Sequence, residues 1–134
     1  MRLARVRHDG GVRLARVEDD EVVLLGTESE TPRADVMIDA IHAGSPFDVE
    51  GTRMGLADVT LLAPVRRPGK LLAIGLNYAE HADESQMVLP VAPLLFSKPS
   101  SAIVGPGEPV RWAAVDCTQP DYEAEMAVVI GRTA

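Results

Sequence analysis

The sequence runs to 134 residues, about the length of one domain, with 46% hydrophobic residues and a formal charge of −7 from 13 Lys+Arg against 20 Asp+Glu. So apolar a composition excludes a disordered, solvating chain, and so acidic a balance argues against nucleic acid as the main partner, because a phosphate backbone calls for a basic face. No apolar run approaches the ~18 residues of a membrane span, the basic start Met1-Arg2-Leu3-Ala4-Arg5-Val6-Arg7 lacks the apolar core of a signal peptide, and the lone cysteine, Cys117, cannot form an internal disulfide, so the expected compartment is a reducing cytoplasm.

The first elements read as strands. Residues 2–7 alternate, with Leu3, Arg5 and Arg7 on one parity and Ala4 and Val6 on the other. Asp9-Gly10-Gly11 supplies a turn tolerant of positive φ. Residues 12–17 repeat the grammar, with Val12, Leu14 and Arg16 on one face and Arg13, Ala15 and Val17 on the other. Glu18-Asp19-Asp20 turns again into a third short strand over 22–25, which predicts a three-stranded meander. A helix is predicted over 33–43, with Thr31 as its cap, Pro32 in its first turn and Gly44 as its stop. A loop rich in Gly, Ser and Pro leads to an apolar stretch at 59–65.

Pro64, Pro68 and Gly69 mark a boundary that divides the chain into residues 1–66, a small β-rich domain with one helix, and residues 67–134. Beyond it Lys70-Leu-Leu-Ala-Ile-Gly-Leu76 is a continuous apolar run, the pattern of a strand buried on both faces. Asn77 is placed to cap a short polar helix from Tyr78 to about Glu84, with Glu80 three residues on. A proline-rich stretch, 89–93, leads into Leu94-Leu95-Phe96-Ser97-Lys98-Pro99, and a last strand is predicted over 123–130.

Three groups of residues carry possible chemistry. Glu123 and Glu125 alternate along the predicted last strand, so they would share a face, with Asp121 able to join them. Two carboxylates so close repel each other, and the Val128-Val129-Ile130 run beyond them points toward a core where unpaired charge is costly. A hard divalent cation resolves both problems, and Mg²⁺, Mn²⁺ and Ca²⁺ all take carboxylate oxygens readily. The spacing equally suits an edge strand with two solvated glutamates. His81 and Glu84 are neighbours at i, i+3 on the predicted helix; a carboxylate that orients an imidazole makes a general base toward water, and an ordinary surface histidine in an acidic turn looks the same. Lys98, after an apolar strand, has the reach to hold a carboxylate or oxyanion, or it is a solvated lysine at a strand end. Cys117 has no activating neighbour in the sequence. His8 and His42 lack ligand spacing, and Gly105-Pro106-Gly107 is a turn without the rest of a phosphate loop.

In order and spacing, Lys70-Leu-Leu-Ala-Ile-Gly-Leu-Asn77-Tyr78-Ala-Glu-His81-Ala-Asp-Glu84, Pro93-Leu-Leu-Phe96-Ser-Lys98-Pro99 and Asp121-Tyr-Glu123-Ala-Glu125 through Gly131 resemble the fumarylacetoacetate hydrolase family. The resemblance covers about residues 68–134. It implies an α+β, mainly β fold: a small N-terminal β-rich domain followed by the start of a mixed β-roll, in a protein that is commonly a homodimer. It implies Glu123 and Glu125 as metal ligands, His81 and Glu84 as a water-activating dyad on a lid helix, and Lys98 in the substrate pocket. The implied activity is metal-dependent hydrolysis of carbon–carbon bonds in small dicarbonyl or 2-oxo acids, with oxaloacetate-type decarboxylation and isomerisation of 2-hydroxy-diene-dioates as family alternatives. The family's third acidic ligand, an Asp, lies some tens of residues beyond the Glu-x-Glu strand, whereas this sequence stops nine residues after Glu125. The expectation from this departure is the front part of an enzyme, or a non-catalytic fragment that acts as a folding or interaction module.

Overall fold

The computed structural model describes residues 1–25, 35–44, 47–113 and 117–131. They form a mainly β, α+β structure in two compact units: a sheet unit of Met1–Val65 with Val104–Ala134, and a ribbon unit of Arg66–Ile103.

The sheet unit begins with β1 (Arg2–His8), β2 (Gly11–Glu18) and β3 (Glu21–Leu25), paired antiparallel in sequence. The first turn is made by Asp9 and Gly10, both at positive φ, which matches the right-handed twist of the strands it joins. The register puts Leu3, Arg5, Leu14, Arg16, Val23 and Leu25 on one face and Ala4, Val6, Ala15, Val17, Val22 and Leu24 on the other. Helix α1 (Val36–Ala43) covers the first face: Met37, Ala40 and Ile41 pack with Leu14, Val23 and Leu25. Its cap is Asp35, whose Oδ1 accepts from the backbone N–H groups of Met37 (3.1 Å) and Ile38 (3.4 Å). Thr31 and Pro32, expected at this helix start, lie outside the described residues. Gly44 ends the helix at φ 63, a left-handed cap.

The meander grows to five strands. β4 (Thr52–Gly55) pairs with β3, and β5 (Thr60–Leu62) pairs with β1, giving the order β4-β3-β2-β1-β5. β4 and β5 thus lie at opposite edges, joined only through a 3₁₀ turn, Leu56–Asp58, and Val59. On a flat sheet those edges would stand about 19 Å apart at ~4.8 Å per strand. The connection from Gly55 to Thr60 reaches at most about 18 Å, so the sheet curls. Small residues, Ala4 and Ala15, permit that curl, and Leu56 and Val59 of the connection close over the concave cluster of Val6, Val22 and Leu24. The backbone N–H of Leu56 donates to Asp20 O at 2.8 Å and fixes the turn on the β2–β3 hairpin. Gly51, just before β4, allows the closest approach: a Cβ there would stand 2.1 Å from the carbonyl oxygen of Leu24.

Two features of this unit were not evident from its pattern. Arg5 reads as a surface residue, yet it is buried, and its guanidinium donates to the carbonyl of Ala63. Glu18 and Glu21 face each other across β2–β3, a like-charge pair. Arg53 of β4 bridges both, at 2.8 and 3.2 Å, and Arg16 holds Glu18 at 2.6 Å. Arg16 also donates to the carbonyls of Phe47 (2.7 Å) and Val49 (3.1 Å), which ties that loop to the sheet.

The ribbon unit contains β6 (Leu72–Gly75) and β7 (Leu94–Ser97), a two-stranded antiparallel ribbon, and α2 (Ala79–Glu84). The expectation of a strand buried on both faces is corrected here. β6 alternates exposed and half-buried, with Leu72 59% exposed, and β7 is exposed throughout. One neighbouring strand satisfies one edge of the ladder and covers neither face. The α2 start is also corrected: the cap position belongs to Tyr78 rather than Asn77, and no side chain caps it.

The predicted last strand, 123–130, is a third correction. Residues 117–131 have no regular secondary structure, and Met126, Val128 and Ile130 are exposed. A strand exists by its ladder, and among the described residues none pairs with this segment.

Candidate metal and substrate site

Helix α2 carries His81 and Glu84 three residues apart, both exposed, while Ala82 between them is buried and anchors the turn. The helix is closed by backbone bonds from Ser85 N to His81 O (3.1 Å) and from Met87 N to Ala82 O (2.8 Å), with Gln86 at φ 54. At its other end Leu76 stands at φ 51. This is the left-handed region, where Gly, Asn and Asp are at ease and leucine is strained. Nothing in a leucine announces such a conformation, so sequence reasoning missed it.

Lys98 follows β7. Its backbone N–H donates to Leu71 O at 3.0 Å, and its ammonium lies 5.7 Å from the centroid of the Phe96 ring. The register pairs Leu72 with Ser97 and Gly75 with Leu94. The chain therefore leaves the ribbon toward α2 at the Gly75–Leu94 end, and Lys98 sits beyond the Leu72–Ser97 end. The two ends are separated by roughly 10 Å, at the rise of a strand. A cleft opens at each. The one at the α2 end has a volume of about 280 Å³ and is walled by residues 74–77 and 89–94. The one at the Lys98 end, of about 380 Å³, includes Lys70, Ser97, Lys98 and Ser100.

Glu123 and Glu125 are exposed side chains of the irregular segment. Just before them the Tyr122 N–H donates to Asp121 Oδ1 at 2.8 Å. Among the described residues no ladder holds this backbone in the pleat that would force the two glutamates to one side. As hard oxygen donors they suit a hard divalent cation. They would fill only two of its coordination positions, and among the described residues no group of three or more His, Cys, Asp or Glu is poised to hold a metal. Donor chemistry fits the ion, and the described residues supply part of a coordination shell.

All five candidate residues fall within 70–134, the stretch that matches the family described as fumarylacetoacetate (FAA) hydrolase, C-terminal. Residues 1–64 match a second family, described as Rv2993c-like, N-terminal. The chain belongs to the fumarylacetoacetate hydrolase family. Among members of the family, it is 36% identical over 132 residues to Protein Rv2993c of Mycobacterium tuberculosis, covering 98% of this chain and 46% of that protein. It is 47% identical over 76 residues to the mitochondrial oxaloacetate tautomerase Fahd2a of Rattus norvegicus, covering 57% of this chain and 24% of that one. It also matches the crystal structure of maleylpyruvate hydrolase from Sphingobium sp. SYK-6 in complex with manganese(II) ion and pyruvate, at a TM-score of 0.56 and 30% identity, covering 78% of this chain and 39% of that one. The chain thus spans less than half the length of these relatives. No helix among the described residues is long and apolar enough to cross a membrane.

Proposed function

We propose that this chain carries part of the active site of a divalent-metal-dependent enzyme that acts on small 2-oxo or 1,3-dicarbonyl acids through their enolates. The observation that carries the reading is the family match over 70–134, which contains His81, Glu84, Lys98, Glu123 and Glu125, together with a relative solved with manganese(II) and pyruvate. Glu123 and Glu125 would hold the ion, Mg²⁺ or Mn²⁺. When bound, it supplies Lewis acidity that polarises a carbonyl and stabilises negative charge on oxygen.

The chain's own residues would do the rest. His81, oriented by Glu84, would take a proton from water as that water attacks the carbonyl; the carbon–carbon bond then breaks, and the leaving carbon departs as an enolate that is reprotonated. Lys98 would hold a substrate carboxylate. A second reading is favoured by the tautomerase relative: the same histidine would remove a proton from the carbon beside the carbonyl and return one to oxygen, with no bond between carbons broken. A reducing cytoplasm and a homodimer belong to this proposal as well, and light scattering of the purified chain reports the second.

Calorimetric titration of the chain with Mn²⁺, beside Glu123→Gln and Glu125→Gln, tests the metal role; binding that is unchanged in both variants refutes it. Assay of the protein that carries this chain, on an acylpyruvate and on oxaloacetate, separates hydrolysis from tautomerisation. Turnover that survives complete chelation ends the metal-dependent reading altogether.

A further inference from the structure

Arg5 stands in the middle of β1, 2% exposed, and its guanidinium donates to the carbonyl of Ala63, far along the chain. Taking a cation out of water is costly, and leucine or methionine would fill such a place without that cost. What arginine adds is a donor on a long arm. The backbone shows where one is needed. The ladder between β1 and β5 pairs Arg7 with Thr60, Val6 with Leu61 and Arg5 with Leu62, and stops. Two residues further on it would bring Pro64 opposite Leu3, and proline has no N–H to give. The Arg5 side chain takes hold of residue 63 where the ladder lets go. Val65 then packs against the α1-covered cluster, and the chain leaves the sheet unit.

The chain returns to that unit at Val104, and Gly105 comes down on the same spot. A Cβ on Gly105 would stand 3.1 Å from the nitrogen of Ala63 and 3.5 Å from the carbonyl carbon of Leu62, so only a residue without a side chain lets the two backbones lie this close. Gly105 is itself fixed by a turn: its N–H donates to Glu108 Oε2 at 2.8 Å, and its carbonyl accepts from the Glu108 N–H at 3.1 Å. Ala63 is therefore the residue at which the exit and the return of segment 66–103 meet, and that segment carries His81, Glu84 and Lys98.

We propose that Arg5 is a positioning residue that clamps this crossing: by holding the Ala63 carbonyl it keeps residues 62–63 in place under Gly105, and so pins together the two ends of the segment that bears the candidate dyad and lysine. Arg5 acts through the backbone of Ala63 and touches no candidate site residue in this role. Nothing in the role depends on a metal ion or on the identity of the substrate, so it stands or falls separately from the proposed function.

NMR of the 134-residue chain tests it. The close approach predicts a nuclear Overhauser effect between a Gly105 Hα and the Ala63 amide proton in the parent chain. Arg5→Met, which fills the space and removes the donor, is expected to abolish that effect while the cross-strand effects between β2 and β3 persist. Arg5→Lys, which keeps a donor on a long arm, is expected to retain it. The proposal is overturned if the parent chain lacks the Gly105–Ala63 effect, or if the effect survives in a folded Arg5→Met chain. It is equally overturned if Arg5→Met loses the β2–β3 effects as well, because Arg5 then serves the folding of the whole sheet. Loss of the Gly105–Ala63 effect in an Arg5→Lys chain whose sheet is intact would assign the hold to packing of the guanidinium, and would overturn the role of the hydrogen bond to Ala63.

Discussion

β3 of the sheet unit and the two strands of the ribbon unit are comparably apolar and come to opposite ends. Val23, in β3, is sealed between α1 and its neighbours at 0% exposed, whereas Leu95, in β7, is 62% exposed. The difference is one of cover. β3 has a strand on either side, a helix over one face and the Leu56–Val59 connection over the other. β6 and β7 have each other. An apolar run therefore states that a strand wants both faces covered; which residues cover it is decided by topology. The same holds for Val128-Val129-Ile130, which reads as a core strand and has no ladder to join among the described residues.

Truncation is the strongest test of that contrast. Leu14→Ala removes a buried side chain from the centre of the α1-covered cluster, and a loss of about 2–5 kcal/mol is expected in urea unfolding. Leu72→Ala in the open ribbon should cost well under about 1 kcal/mol, since its side chain already meets water. Equal losses would break the comparison.

Added volume tests it from the other side. Gly51→Ala puts a Cβ against a backbone oxygen of β3 that cannot step aside, and overpacking of this kind costs about 1–3 kcal/mol. Gly75→Ala meets the Leu94 side chain at 3.2 Å, an exposed group free to give way, so a shift within about 0.5 kcal/mol is expected. Asp35→Ala, which removes the α1 cap and leaves its packing, should cost about 1 kcal/mol by the same assay. A null result there would mean that packing alone fixes the helix start.

Much of the sheet was legible because its signals are local. Alternation set the faces of β1 and β2, and Asp9-Gly10 and Gly44 marked turns by the φ they tolerate. β4 was hidden in a Gly-rich loop because Thr-Arg-Met-Gly has no apolar period of its own; its place comes from pairing with β3. Arg5 was hidden because burial of a charged residue depends on a carbonyl far along the chain, at Ala63. Of the candidate site, the i, i+3 relation of His81 and Glu84 follows from sequence once the helix forms. The common face expected of Glu123 and Glu125 does not, because pleating is a property of a paired strand. Lys98 lies at the other end of the ribbon from α2 by virtue of the register, which no local motif encodes.

The smallest expected effect concerns the charge cluster on the sheet. Hydrogen bonds from Arg16, then from Arg53, hold the Glu18 carboxyl below the usual carboxylate range, and Glu18 in turn raises Arg53. A carboxyl whose folded value lies below its unfolded one adds stability that is fully present above the unfolded value, near pH ~4.3 for glutamate, and lost as pH falls through the folded value. The advantage of the parent chain over Glu18→Gln should therefore hold steady near neutrality and shrink below that range. It should also shrink in high salt, because the group is exposed and screened. Urea midpoints of both chains from pH 7 to pH 3 measure this. A difference that stays constant across the range would mean that the cluster orders the strand ends by geometry, and that its charge contributes nothing to holding β2, β3 and β4 together.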